Sequence, residues 1–243
     1  FRDITERLKT EEQLRISYKM ASLGQLTAGV FHELLNPVNI ISAHIQLLLM
    51  DAEEGSRTEE DLKSVQEEIK RIVKISDNLL RFSRKGVTGA EEIDINDLIE
   101  RTICLLEPEM KLEKVVYIRQ FDKNLQKISV SSDQLRQVFL NLFTNARDAM
   151  PDGGTITVST ESITGGEAPF VRIKISDTGC GIDKSKIHKV FDPFFTTKKE
   201  GRGTGLGLST SYGIVEDHGG AMSVESKICK GTTFVIDLPV KIF

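Results

Sequence analysis

Three groups of residues in this chain have the types and spacing to do chemistry. The first is His32 followed by Glu33, with Asn36 and Pro37 one turn on. An exposed neutral imidazole is a competent nucleophile near neutral pH. An adjacent carboxylate can take the proton of Nδ1 and leave Nε2 as the attacking atom. At about 100° per residue, Leu23, Leu26, Val30 and Leu34 share one side of a helix and His32 falls opposite them. Asn36, at i+4, shares the face of His32. Pro37 lacks an N–H and crowds the carbonyl of Glu33, so the helix is expected to bend just past His32. A surface histidine with a chance acidic neighbour would look the same. Of the other histidines, His44 falls at the edge of an apolar seam, a packing position. His188 and His218 lie near turns and suggest no chemistry.

The second group sits on a candidate helix, Ser132–Met150, where Asn141 and Asn145 are spaced i, i+4. Two carboxamide oxygens on one face suit Mg²⁺, which takes oxygen ligands and shares them with phosphate. A plain polar face is the other reading. The third group begins at Ser176-Asp177-Thr178-Gly179-Cys180-Gly181-Ile182. There a carboxylate at a strand end and two glycines would let a base approach the backbone, with Asp177 accepting from an exocyclic amine. An ordinary Asp-Thr-Gly turn is the alternative. Further on, Phe191-Asp-Pro-Phe-Phe leads to Lys198, Lys199 and Arg202. Gly203-Thr204-Gly205-Leu206-Gly207 then runs straight into an apolar helix. A helix N-terminus after a glycine-rich loop is an anion site, with free N–H groups and a favourable dipole. The loop has neither the P-loop order nor a dinucleotide fingerprint directly after a strand.

Two kinds of patterning must position these groups. Up to about residue 86 the chain reads as helix. Leu34, Val38, Ile41, Ile45 and Leu48 form a heptad seam, and Leu62, Val65, Ile69, Ile72, Leu79 and Phe82 form a second one after a polar break at Asp51–Arg57. Two seams of this length are best buried by pairing two hairpins in a four-helix bundle, which predicts a homodimer. A Gly-containing boundary, Lys85–Gly89, follows. Beyond it come helix candidates Asn96–Leu106, Ser132–Met150 and Leu206–Asp217. Strand candidates are Val115–Phe121, Lys127–Val130, Thr155–Thr160, Phe170–Ser176, Ala221–Ser226 and Thr233–Leu238. This order predicts an antiparallel or mixed sheet covered by helices on one side. A net charge of -4 argues against nucleic acid as a partner. Three scattered cysteines form neither a zinc pattern nor a disulfide framework and fit a reducing compartment. No apolar run is long enough for a membrane span. A first residue Phe1 suggests a piece of a longer chain.

Jointly and in this order the motifs resemble those of a two-component sensor histidine kinase, whose ATP-binding domain belongs to the gyrase/Hsp90/histidine kinase/MutL superfamily. Phe31-His32-Glu33-Leu-Leu-Asn36-Pro37 resembles the phosphoacceptor box. Gln137 to Met150, with Asn141, Asn145 and Asp148, resembles the N box. Asp177-Thr-Gly179-Cys-Gly181 and the following Ile182 resemble the first glycine box, and Phe191-Asp-Pro-Phe194-Phe195 the F box. Gly203-Thr204-Gly205-Leu206-Gly207 resembles the second glycine box, and Gly231-Thr232-Thr233-Phe the last one. Phe1 to Arg7 resembles the junction that follows a PAS sensor domain, which would precede this fragment.

The resemblance implies an all-α antiparallel helical hairpin forming a dimeric four-helix bundle, followed by an α/β sandwich of the Bergerat ATP-binding type. It divides the chain into a signalling linker helix (1–15), a dimerisation and phosphotransfer domain (16–86), a linker (87–92) and a catalytic ATP-binding domain (93–243). ATP and Mg²⁺ are the implied cofactors. His32 would take the γ-phosphoryl group and pass it to an aspartate on a response regulator receiver domain. Glu33 would be the adjacent base, and Asn36 would serve the reverse, phosphatase-like hydrolysis. Asn145 would hold Mg²⁺ with Asn141 nearby, and Asp177 would read adenine. The remaining residues of the boxes, with Lys198 and Arg202, would complete the ATP site, residues around 191–205 forming a lid over the phosphates. The fragment is expected to be cytoplasmic, although its parent can be membrane-anchored.

One departure concerns Asp148, which stands where some family members carry a cation. Lys198 or Arg202 is expected to supply that charge instead. Two other readings remain open at this level: an ATPase of the same superfamily that hydrolyses to water, and a non-catalytic ATP-sensing scaffold. The first would want a carboxylate where Asn141 stands, and the second would leave His32 idle.

Overall fold

The computed structural model describes residues 35–53, 55–83, 89–164, 169–198 and 204–240. The chain divides into two units, Phe1–Lys85 and Gly86–Phe243. His32, Glu33, Arg202 and Gly203 lie outside the described residues, as do the stretch 1–15, Leu23, Leu26, Val30 and Leu34.

In the first unit residues 35–51 are helical (α1), and α2 spans Arg57–Ser83. Gly55 (φ 77°) makes the turn between them. Ser56 starts α2 by accepting the Glu59 N–H at 3.1 Å, while the Glu59 carboxylate accepts the Gly55 N–H at 2.7 Å. The Ser-x-x-Glu spacing is that of a capping box. The hydrogen bond from Lys63, with that from Gly55, holds the Glu59 carboxyl below its ordinary value. His44 is exposed and bonds through Nδ1 to the Ile40 carbonyl at 2.8 Å. Ile41 and Leu48 on α1, and Val65 and Ile72 on α2, remain exposed in the single chain, whereas Ile69 is buried.

The second unit is a mixed five-stranded sheet with helices packed on one face. Its elements are β1 (Glu91–Ile93), α3 (Ile95–Leu112), β2 (Val115–Gln120), β3 (Ile128–Val130), α4 (Ser132–Asp148), β4 (Gly154–Ile163) and β5 (Phe170–Asp177). Then follow α5 (Lys184–Ile187), α6 (Gly207–Asp217), β6 (Ala221–Lys227) and β7 (Gly231–Pro239). The strand order is β2-β4-β5-β7-β6, with β2 parallel to β4 and the other pairs antiparallel. β1 pairs with β3 in a separate ladder.

Alternation along the strands builds the core. Val171, Ile173 and Ile175 of β5 are buried, and their partners across the ladder are Leu238, Ile236 and Phe234 of β7. Ile156 and Val158 extend the same layer on β4. From the helical side α4 supplies Leu135, Val138, Phe139, Leu142, Phe143 and Ala146, all buried at the 3.6-residue period. That is the face its spacing predicts.

Several details differ from expectation. α3 is capped by Asp94, whose side chain accepts from Asn96 and Asp97 N–H, and it continues through Pro108 to Leu112. Proline there removes one helical bond, but fully buried Met110 anchors the last turn. Glu91 and Glu92, expected in a linker, form β1. Three residues are too few to show an alternation. α5, a single turn started by Asp183, was not expected at all; the Asp183 side chain accepts the Ser185 N–H at 2.8 Å.

Candidate functional site

The period-two pattern of β5 carries the key carboxylate inward. After Val171, Ile173 and Ile175, the next core-facing position is Asp177, only 8% exposed. Its Oδ1 accepts two backbone N–H groups, from Gly179 at 2.8 Å and Thr232 at 3.2 Å. Burial raises the Asp177 carboxyl above its ordinary value, and the two N–H bonds oppose that shift only in part. With Oδ1 engaged, Oδ2 is the atom that can meet a ligand donor.

The glycines around Asp177 are required by close backbone approach. A Cβ on Gly179 would meet the Ala149 carbonyl oxygen at 2.6 Å and Asp177 Oδ1 at 2.9 Å. Gly181 (φ 71°) lies against the Lys227 carbonyl, and Gly231 (φ 94°) against the carbonyl of Asp177 itself. No side chain fits at these points, so the loop folds tightly beside the carboxylate. Thr232 is buried, and Thr233 Oγ1 shares a 2.8 Å hydrogen bond with Ser176. Ile182 donates its N–H to Ser226 Oγ at 2.8 Å.

At the other end of the site, Asn141 ties α4 to α6. Its Nδ2 donates to the Gly207 carbonyl at 3.1 Å and to Ser211 Oγ at 3.2 Å. No side chain caps α6. Its first N–H groups and the positive end of its dipole thus remain for an anion. Leu206 is fully buried and sets the entry of the helix. Gly205 (φ 66°) has no room for a Cβ because the backbone of Phe194 fills that space. Phe194 itself takes φ 65°, unusual for an aromatic residue. Phe191 is buried against Tyr212, with ring centroids 5.0 Å apart. Thr204 is half-buried at the loop's exit.

Between these ends lies a cation-holding cluster. The Lys198 ammonium donates to Asp148 Oδ2 at 2.6 Å and to Asn145 Oδ1 at 3.2 Å. Burial alone would raise the Asp148 carboxyl. Lys198 and Arg147 outweigh it and hold the group below its ordinary value. Arg147 also reaches Glu109 at 2.7 Å. Lys198 is thus at the site as expected, but it neutralises Asp148. Sequence reasoning had placed the two residues as separate contributors and not as a pair. Oxygen atoms of Asn145 and Asp148 already gather around one positive charge, so this donor set suits a hard cation such as Mg²⁺. Asn141 spends its amide nitrogen on α6, so only its Oδ1 could face such an ion.

α4 therefore runs the length of the site. The Asn141 end touches the α6 N-terminus and the Ala149 end touches the Asp177 loop. Eight residues at 1.5 Å each separate them by about 12 Å. A carboxylate acceptor and a helix N-terminus at that spacing suit the base and phosphates of a nucleotide.

One residue with a structural role was missed. His218 is buried, donates through Nδ1 to the Ile214 carbonyl at 2.7 Å, and accepts the Ser131 N–H on Nε2 at 3.0 Å. It joins the end of α6 to the start of α4. No local pattern announces a contact spanning 87 residues.

The fold and site define a nucleotide-binding module of the α/β sandwich class, preceded along the chain by a helical unit. Residues 130–242 match the family described as histidine kinase-, DNA gyrase B-, and HSP90-like ATPase. Residues 22–87 match the His Kinase A (phospho-acceptor) domain. The chain is 36% identical over 241 residues to sporulation kinase E of Bacillus subtilis (strain 168), covering 99% of this chain and 32% of that protein. It is 35% identical over 254 residues to sensor kinase CckA of Brucella abortus (strain 2308), covering 98% of this chain and 26% of that one. The chain thus spans about a third or less of these relatives. Among solved structures, histidine kinase ThkA in complex with response regulator protein TrrA matches with TM-score 0.65 and 26% identity, over 96% of this chain and 66% of that one. The chain belongs to the two-component histidine kinases, with a phospho-acceptor region followed by an ATP-binding one. Among the described residues no helix is long and apolar enough to cross a membrane.

Proposed function

We propose that this chain phosphorylates itself on His32 from ATP and passes the phosphoryl group to an aspartate of a response regulator receiver domain. The observation that carries the reading is the row along α4: Asp177 at one end, the uncapped α6 N-terminus at the other, and the Asn145–Asp148–Lys198 cluster between. Asp177 Oδ2 accepts from the adenine amine, and the α6 N-terminus takes phosphate oxygens. Asn145, with Asn141 nearby, would hold Mg²⁺, which would supply charge neutralisation at the phosphates. His32 Nε2 forms a bond to the γ-phosphorus as the bond to the β-bridging oxygen breaks and ADP leaves. Glu33 takes the Nδ1 proton. Catalysis is mainly positioning and charge neutralisation. Asn36 serves the reverse hydrolysis of the phosphorylated regulator.

The same reading assigns residues 16–86 to dimerisation and phosphotransfer and 93–243 to catalysis. It pairs two chains through the exposed stripe of Ile41, Leu48, Val65 and Ile72. It also places a PAS-like sensor before Phe1 and the fragment in the cytoplasm. The solved ThkA complex with a response regulator supports the partner class. Hydrolysis to water is disfavoured because Asn141 is an amide and a poor general base.

The test uses γ-labelled ATP and a search for acid-labile phosphate. Wild type should take label on His32, and His32→Gln should take none. Mixed dimers of a His32 variant with an Asn145 variant report whether transfer runs within a chain or across the pair. Labelling that survives in His32→Gln would remove the site assignment.

A further inference from the structure

Two of the three cysteines lie on adjoining backbone segments beside Asp177. Cys180 lies between Gly179 and Gly181, and Cys229 lies in the turn between β6 and β7. The Cys229 N–H donates to the Cys180 carbonyl at 2.8 Å. With standard bond lengths this contact keeps the two Cα atoms within about 6.7 Å. Disulfides need Cα separations of roughly 4.4–6.8 Å. Flanking contacts hold the two segments together on both sides of that bond. Gly181 packs against the Lys227 carbonyl, Ile182 N–H binds Ser226 Oγ, and Gly231 packs against the Asp177 carbonyl. Both thiols are free and exposed. Cys229 sits at φ 59°, a left-handed conformation uncommon for a side chain of this kind. Cys104, on α3, is the remaining free thiol.

We propose that Cys180 and Cys229 form a dithiol–disulfide pair, a two-electron modification site on the loop that presents Asp177. With a peroxide as oxidant, one thiolate attacks the O–O bond. This gives a sulfenic acid and, with a proton, one water. The second thiolate then attacks the sulfenic sulfur and releases hydroxide, which becomes the second water. The two sulfurs lose two electrons, and the two thiol protons end in water. The resulting bond fastens the Gly179–Gly181 loop to the turn that leads into Thr232, whose N–H shares the Asp177 carboxylate. A reversible disulfide of this sort is the form in which such bonds occur in reducing compartments. The pair is defined by its own geometry and holds whether or not the neighbouring pocket takes a nucleotide.

The experiment oxidises the chain with hydrogen peroxide and counts titratable thiols, with a non-reducing peptide map beside it. Titratable thiols should fall from three to one. The map should show the Cys180 and Cys229 peptides joined within one chain, and dithiothreitol should restore all three thiols. Cys104→Ser should give the same cross-link, whereas Cys180→Ser and Cys229→Ser should give none. A cross-link through Cys104, links only between chains, or sulfinic acid at Cys180 without a bond to Cys229 would each overturn the proposal. So would two thiols that stay titratable. The wild-type map decides the matter even if a serine variant folds poorly.

Discussion

Replacing Asp177 by Asn separates folding from nucleotide recognition. In the native site, Oδ1 accepts two backbone N–H groups, from Gly179 at 2.8 Å and Thr232 at 3.2 Å. An asparagine must keep an oxygen at that position, since an NH₂ there would face two donors. Its amide nitrogen is therefore forced into the place of Oδ2. The outward group changes from an acceptor to a donor, and an adenine amine meets a donor. The variant loses a charge-assisted hydrogen bond and leaves a donor unpaired. Together these cost about 2–4 kcal/mol, or about 30- to 700-fold in Kd.

Stability should move the other way. Burial raises the Asp177 carboxyl above its ordinary 3.8. A group with a raised folded pKa contributes stability fully present below its unfolded value and lost as pH rises through the folded one. At neutral pH the native carboxylate carries that loss and the asparagine does not. The variant should therefore unfold at an equal or higher temperature than wild type at pH 7. That advantage should shrink as pH falls toward 3.8. For wild type, nucleotide affinity should fall on acidification at a pH above that of an ordinary aspartate. Titration calorimetry with ATP and thermal unfolding across pH measure both. A variant that binds ATP within threefold of wild type would refute the assignment of the outward oxygen. A variant that unfolds well below wild type at pH 7 would refute the orientation forced by the two N–H groups.

Four further outcomes follow from the packing and from the proposed site. His218→Ala breaks two buried hydrogen bonds and leaves the Ser131 N–H unpaired. It should cost about 2–4 kcal/mol in urea unfolding, and a loss under 0.5 kcal/mol would show that the bridge does little. Lys198→Met removes an ammonium bound to Asp148 and Asn145. That pair is about a third exposed, so stability should change by less than about 1 kcal/mol. ATP affinity should fall about 5- to 30-fold if the ammonium also serves the phosphates. If Lys198→Ala and Arg202→Ala both leave affinity and turnover unchanged, neither supplies that charge. Ile41→Asp combined with Leu48→Asp places charge on the exposed seam of α1. Light scattering should then report a monomer, and a persistent dimer would move the interface elsewhere.

What could be read in advance follows from the range of the interactions. α4 was legible because its apolar positions repeat at 3.6 residues and its two asparagines, four apart, share one face. Asp177 was legible as a carboxylate at a strand end before two glycines; its burial follows from β5 running one residue further than the expected Ser176, which keeps Asp177 on the inward alternation. The end of α3 was not legible. Pro108 is a local stop signal, and only the tertiary burial of Met110 overrides it. The Lys198–Asp148 pair joins residues fifty apart, and the His218–Ser131 bond joins residues farther apart still. Nothing in either local sequence marks them.

The same distinction explains how the site works. Strand period carries Asp177 inward and helix period puts both asparagines on one face of α4; on the proposed reading these lie at the base end and the phosphate end, the latter fixed by the long-range bonds from Asn141 to α6. A helix of fixed rise then keeps those ends about 12 Å apart. The charges between them come from long-range side-chain pairs, Lys198 with Asp148 and Asn145. On the proposed reading, the regular elements set the span of the nucleotide. On that same reading the Lys198–Asp148–Asn145 cluster is what answers to phosphate and metal charge.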